Sequence, residues 1–115
     1  AEHVSPGTHI ACMGTDTKGK QELAADLLAK ATLFTDEVAQ SVSIGEAQHA
    51  VGSGLMSEGD ITPIGAVING AHKGRGSAEE ITLFDGTGVG LQDLAVASVA
   101  AEQAERHGKA TRVAL

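Results

Sequence analysis

The sequence contains no tryptophan and no tyrosine, and its aromatic rings outside histidine are Phe34 and Phe84 alone. A core without large rings must be filled by small and branched aliphatic side chains, as in the buried parallel strands and close helix contacts of α/β proteins. A single cysteine, Cys12, excludes an intrachain disulfide. Its place within an apolar run fits a reducing compartment, the cytoplasm. No run of eighteen apolar residues is present, and the N-terminus has neither the basic nor the apolar part of a secretory leader. Positive charge is also scarce, with eight Lys plus Arg against fifteen Asp plus Glu and a formal net charge of -7. Such a balance opposes non-specific contact with nucleic acid or anionic membrane, while a local basic group can still hold a phosphate.

Glycine is the residue in excess. Fifteen of the 115 positions are glycine, which points to tight turns and close backbone approaches within one modest domain. The five histidines, His3, His9, His49, His72 and His107, show no metal-ligand spacing, so no metal site is expected. His72, Lys73 and Arg75 make a short basic loop, too small for a nucleic-acid footprint.

Along the chain, a Pro-Gly turn leads into a short buried strand, His9 to Met13. Leu23, Leu27 and Ala31 lie four apart and predict a helix over 21–31. Thr32 to Thr35 reads as a second strand closed by Asp36 and Glu37. Ile44, Ala47, Val51 and Leu55 predict one helix over 38–57 with a single buried face. The stretch 60–70 reads as a shorter helix or turn with Pro63 at an early position. Ile81 to Phe84 is the third strand, and 90–107 a final helix whose nearly continuous apolar character demands a partner. Short strands linked through helices run parallel with right-handed crossovers. Three parallel strands flanked by helices amount to half of a doubly wound α/β sheet.

Ligands of open parallel sheets bind beyond the carboxyl ends of the strands. Two polar loops are expected there, Gly14 to Lys20 and Asp85 to Gly90, each preceding a helix whose free N–H groups favour an anion. Asp16 is the candidate for chemistry. A strand-end carboxylate can exchange a proton with a substrate amine, although serving as an acid near neutral pH requires its proton affinity to be raised. The same carboxylate would equally serve as a helix or turn cap. Lys20 reaches a phosphate or carboxylate, or is an ordinary surface lysine; Lys18 is a weaker candidate. The run D-G-T-G-V-G is not the dinucleotide fingerprint G-x-G-x-x-G and reads equally as a closely packed helix-entry turn. Cys12 within a strand is expected to be buried and inert.

The blocks H-I-A-C-M-G-T-D-T-K-G-K-Q-E-L and E-I-T-L-F-D-G-T-G-V-G-L-Q-D-L-A-V-A resemble two blocks of the ornithine cyclodeaminase and mu-crystallin family, in the family's order, and V-S-P-G-T-H-I before the first also fits. The resemblance runs over essentially the whole chain but covers only about the last third of a family member. It implies a Rossmann-type domain binding NAD or NADP, with a second domain that binds substrate and forms a homodimer. It implies that Asp16 is the acid/base residue near the substrate nitrogen. Gly14, Thr15 and Lys20 would lie by the cofactor, with the Asp85-Gly86-Thr87 turn near the nicotinamide. Family members often carry Ser where Gly86 stands, so a side-chain hydrogen bond available there is missing here.

The dinucleotide fingerprint and the residues that hold the substrate carboxylate should precede this chain. The expectation is therefore a fragment, 1–107 forming the C-terminal portion of the cofactor domain and 108–115 a tail, with the last helix leading toward a dimerisation and substrate domain. The family's shared chemistry is hydride transfer between nicotinamide and a carbon bearing an amino or imino group. The segment F-T-D-E-V-A-Q-S-V-S-I-G-E-A-Q-H-A is most similar to bacterial imine reductase members, including those acting on iminosuccinate. Ornithine cyclodeamination to proline and ammonia, alanine dehydrogenation, cyclic ketimine reduction and a non-catalytic, crystallin-like nucleotide-binding role stand as alternatives.

Overall fold

A computed structural model describes residues 2–111 and residue 113. Of the expected tail 108–115, positions 112, 114 and 115 lie outside the described residues. Four strands form one parallel sheet: β1 (His9–Cys12), β2 (Thr32–Thr35), β3 (Ile61–Pro63) and β4 (Thr82–Asp85), in the order β1-β4-β2-β3. The helices are α1 (Ala25–Leu28), α2 (Val38–Ser43), α3 (Gln48–Gly52), α4 (Ile64–Ile68) and α5 (Gly90–Arg106). The α/β class with a parallel sheet is as expected, but the strand count is four, not three. The additional strand is three residues long, ends on Pro63 and pairs only with β2, so it has neither the length nor the alternation that marks a strand in sequence.

Leu28, Leu33, Leu83, Ala47, Ala50, Ile61 and Cys12 form one buried cluster of aliphatic side chains and a thiol, and Leu27 and the Phe34 ring are buried as well. Burial of each leucine removes apolar surface worth about 1.5–3 kcal/mol from water. At the amino ends of the strands, the Arg75 guanidinium donates to the carbonyls of Gly7, Thr8 and Glu80 and to Thr82 Oγ1. This loop cation is a backbone staple between β1 and β4.

Two helices differ from the periodicity where carboxylates take up backbone N–H groups. The helix expected over 21–31 contracts to Ala25–Leu28, and ahead of it the N–H groups of Glu22 and Leu23 donate to the Glu46 side chain. The helix expected over 38–57 breaks into α2 and α3. Asp85 Oδ2 accepts the Glu46 N–H at 2.8 Å and so removes it from the helical ladder. Gly45 fills the break, and a Cβ there would lie 2.6 Å from Asp85 Oδ2 and 2.7 Å from Ser41 Cα.

The final helix follows its expected span within a residue, yet none of its residues is buried. Leu91 and Val96 are each 70% exposed. Among the described residues no helix is long and apolar enough to cross a membrane.

Candidate functional site

Register places the carboxyl ends of three strands side by side, because Asp85 pairs with Cys12 on one flank and with Thr35 on the other. The segments that follow them therefore leave the sheet together. The Gly86 N–H donates to the Cys12 carbonyl at 2.9 Å, and Thr35 Oγ1 donates to the Asp85 carbonyl at 2.9 Å. Between these segments opens a cleft of about 510 Å³ lined by Met13, Asp16, Asp36, Phe84, Gly86 and Thr87, with Gln40, Ile44, Gly88 and Gln92 around them. The lining combines apolar side chains with carboxylate, amide and hydroxyl groups, a mixture suited to a flat ring with a polar reacting partner.

Asp16 reaches this cleft from the loop after β1. It is exposed, and its Oδ1 accepts from Lys20 Nζ at 2.6 Å and from Thr17 Oγ1 at 3.1 Å. The hydrogen bond from Lys20, then that from Thr17, hold the carboxyl below its usual range. Asp16 is thus a carboxylate at neutral pH, and the raised proton affinity that acid chemistry asks for is absent while Lys20 is its partner.

The other sequence candidates divide. Gly86 and Thr87 line the cleft, whereas Gly14, Thr15, Lys20 and Asp85 do not. Thr15 is buried, its hydroxyl donating to Glu46 Oε2. The Gly14 N–H donates to Glu22 Oε2 at 3.0 Å. Asp85 is completely buried and faces the helices, accepting from Ser41 Oγ at 2.6 Å and from the Glu46 N–H. Burial pushes the Asp85 carboxyl above its usual range. Gly86 lies under the Met13 thioether, where a Cβ would come within 2.6 Å of Sδ. A serine at this position would displace the exposed Met13 side chain from the cleft wall.

The first loop lacks the free helix N-terminus expected of an anion site, whereas beyond the second no side chain caps the start of α5. Four residues separate Lys20 from α1, which has one turn. At the other loop, the anion is already present within the chain. Asp36, at the end of β2, accepts from the Thr87 N–H at 3.0 Å, Thr87 Oγ1 at 2.7 Å, the Gly88 N–H at 3.2 Å and Gln92 Nε2 at 3.4 Å. Burial acts to raise the Asp36 carboxyl, but the hydrogen bonds from Thr87, Glu37 and Gly88 outweigh it and hold the group below its usual range. Asp36 was visible in sequence only as a strand terminator; its grip on a turn 51 positions away had no local signal.

A depressed carboxylate stabilises the folded state at pH values above its unfolded pKa, and that stabilisation is lost as pH falls through the lower folded value. Asp36→Asn should therefore speed amide exchange at Thr87 and Gly88 at pH 6 by about 5- to 30-fold, equivalent to about 1–2 kcal/mol of charge-assisted bonding. The ratio of variant to parent rates should fall toward unity as pH drops through the lowered folded value of Asp36, where the parent carboxyl takes up its proton. Hydrogen exchange by mass spectrometry measures both.

Cys12 matches its expected burial. Desolvation, followed by the charges of Glu46, Asp85 and Glu22, pushes the thiol up to about 12. Iodoacetamide at pH 8 should leave Cys12 unmodified in the native protein and alkylate it fully in denaturant, as intact mass will show.

Residues 1–108 match the model of the ornithine cyclodeaminase/mu-crystallin family. The iminosuccinate reductase of Paracoccus denitrificans is 62% identical over 97% of this chain, which spans 35% of that relative. An alanine dehydrogenase of Archaeoglobus fulgidus is 47% identical over 90% of the chain, which spans 33% of its length. The crystal structure of the Paracoccus enzyme in complex with NAD+ superposes with a TM-score of 0.92 at 60% identity, over 99% of this chain and 35% of that one. The Thermococcus litoralis Delta(1)-pyrroline-2-carboxylate reductase, in complex with NADH and L-proline, gives 0.85 at 29% identity over 96% of this chain and 35% of that one.

Proposed function

This chain belongs to the ornithine cyclodeaminase/mu-crystallin family, and we propose that it is the C-terminal part of an NAD(H)-dependent reductase that converts iminosuccinate to aspartate. The observation that carries the reading is the strand-end cleft in which Asp16 meets the Gly86-Thr87 turn and the Met13 side chain. The choice of substrate and of NAD over NADP follows the 62% identity to the Paracoccus iminosuccinate reductase and the NAD+ complex of that enzyme.

The cleft fits a nicotinamide. Met13, Phe84 and Ile44 supply an apolar lining, and glycine at position 86 keeps the backbone free of a Cβ that would strike Met13. The bound cofactor supplies the hydride that goes to the imine carbon. The imine arrives protonated; as its carbon is reduced, the electron pair of the C=N bond passes to nitrogen and gives a neutral amine, which takes up a further proton from solvent. Asp16 faces this nitrogen. Its carboxylate already accepts an ammonium donor, that of Lys20 at 2.6 Å, and a protonated imine presents the same chemistry. A substrate cation that displaces Lys20 would be stabilised by the Asp16 charge, and in the reverse direction the carboxylate would take the proton from the substrate ammonium.

The remainder of the site belongs to chain outside this sequence. We infer that the missing half of the cofactor domain extends the sheet at β1, since His9 and Ala11 of this edge strand are exposed and the opposite edge, β3, ends on Pro63. The exposed apolar face of α5, with Leu91, Leu94, Val96 and Val99, then packs on the substrate and dimerisation domain of the same polypeptide. An archaeal alanine dehydrogenase of known structure, 42% identical to this chain, is a dimer with bound NAD.

The test is a comparison of substrates in the full-length polypeptide. NADH oxidation with oxaloacetate plus ammonium, which generates iminosuccinate, should exceed that with pyruvate plus ammonium by at least about 100-fold in kcat/KM, and aspartate should accumulate. Equal or greater turnover with pyruvate would reassign the protein to alanine formation, and ammonia release from ornithine without net cofactor turnover would reassign it to cyclodeamination.

A further inference from the structure

A carboxylate buried without partners costs several kcal/mol, so one that is buried and fully engaged marks a point where the fold needs its acceptors. Glu46 is such a group. It is 1% exposed, more deeply buried than any other glutamate among the described residues, and sits at the break between α2 and α3. Its Oε1 accepts from the N–H groups of Glu22 at 3.0 Å and Leu23 at 2.6 Å, and its Oε2 accepts from the Thr15 hydroxyl. These three donors lie on both sides of the segment that carries Asp16 and Lys20. The backbone N–H of the same residue donates to Asp85 Oδ2 at 2.8 Å, and Asp85 immediately precedes the Gly86-Thr87 turn. Gln48, two residues on, continues the attachment by accepting from the Gly19 N–H at 2.7 Å and donating to the Lys20 carbonyl at 3.2 Å.

We propose that Glu46 is the positioning residue of the site: its side chain fixes the Asp16 loop and its main chain fixes the Asp85–Thr87 turn, so that one buried residue sets the distance between the proton-handling carboxylate and that turn. The proposal rests on the reading of Asp16 as the acid/base group. It goes beyond that reading by making alignment depend on a residue that does not line the cleft. Asp16 itself is exposed, and its side-chain bonds run to Lys20 and Thr17 of its own loop. Loop geometry must therefore be imposed from below, and Thr15, the neighbour of Asp16, is the point where Glu46 does so.

Glu46→Gln keeps the volume but exchanges one acceptor for an amide donor that faces the N–H groups of Glu22 and Leu23 or the hydroxyl of Thr15. In the full-length polypeptide, kcat should fall by about 10- to 100-fold, the scale of a misplacement near 1 Å, with KM for NADH within about threefold of the parent. The decisive readout is a double-mutant cycle. In an Asp16→Asn background there is no carboxylate left to align, so Glu46→Gln should cost less than about threefold there. An equal loss in both backgrounds would overturn the proposal and leave Glu46 a residue of the fold alone. Thr15→Val and Thr15→Ser form a second arm with a milder change. The valine variant should lose about 5- to 20-fold in kcat, the scale of one charge-assisted hydrogen bond, and serine should restore it to within about twofold. If Glu46→Gln does not fold, this pair decides, and parent-like turnover in Thr15→Val overturns the proposal. Failure of the underlying reading looks different: Asp16→Asn alone would keep the parent rate.

Discussion

Asp16→Asn in the full-length polypeptide is expected to lower kcat for imine reduction by about 10²- to 10⁴-fold, the usual contribution of a positioned acid/base group, while KM for NADH stays within about threefold. The substitution preserves shape and the capacity to accept from Lys20, but removes the charge. Asp16 is exposed and its bonds stay within the loop, to Lys20 and Thr17, so the fold should not register its neutralisation. Circular dichroism and the thermal midpoint should match the parent. The loss would fall on the step in which the substrate nitrogen becomes a cation or gives up its proton, and the aspartate-oxidising direction should suffer equally. Steady-state kinetics in both directions with NADH and NAD+ measure this. A variant within threefold of the parent would leave Asp16 as a loop residue paired to Lys20.

Gly45→Ala is expected to be the most destabilising single-methyl addition near the site. Its Cβ would meet Asp85 Oδ2 at 2.6 Å, Ser41 Cα at 2.7 Å and Thr87 Cγ2 at 2.9 Å. None of these can retreat easily: Ser41 Cα is backbone, Asp85 is completely buried, and the Thr87 hydroxyl is held by Asp36. Overpacking of this kind costs about 1–3 kcal/mol, and the fixed surroundings favour the upper end. A fall in the thermal midpoint on the order of 5–10 °C should follow. Because the displaced groups are the underside of the Asp85–Thr87 turn, kcat should fall with stability. Gly52→Ala provides the control, since a Cβ there meets nothing within 4 Å, and it should leave the midpoint unchanged within about 2 °C. Equal midpoints for the two variants would contradict the close packing described for the helix break.

The strand assignments illustrate what local sequence carries. β2 and β4 combine threonine and phenylalanine with abrupt acidic ends, β1 is a short apolar run stopped by Gly14, and each lies within a residue of its expected span. Strand β3 was not legible, because pairing with Leu33 to Thr35 defines it and nothing in I-T-P does so alone. The helices over 21–31 and 38–57 were overestimated because periodicity counts apolar side chains alone, whereas Asp85 captures the Glu46 N–H across 39 positions and Glu46 holds the segment ahead of α1 across 24. The candidate site divides in the same way. Asp16 was found by its place at a strand end, and Gly86 and Thr87 by the family resemblance of a strand-end loop, and all three line the cleft. Thr15 and Asp85 occupy equivalent positions in sequence, but their side chains turn inward to Glu46 and to Ser41. Whether a polar strand-end residue faces ligand or core depends on a partner distant in the chain, and that information lies in the packing.

The most direct test of the account is a crystal structure of the full-length polypeptide with NADH. The account predicts the nicotinamide ring in the strand-end cleft, in van der Waals contact with Gly86 and Met13, with the Asp16 carboxylate beside the space left for the substrate nitrogen. A nicotinamide bound elsewhere, with this cleft closed by α5 or by another part of the chain, would contradict it.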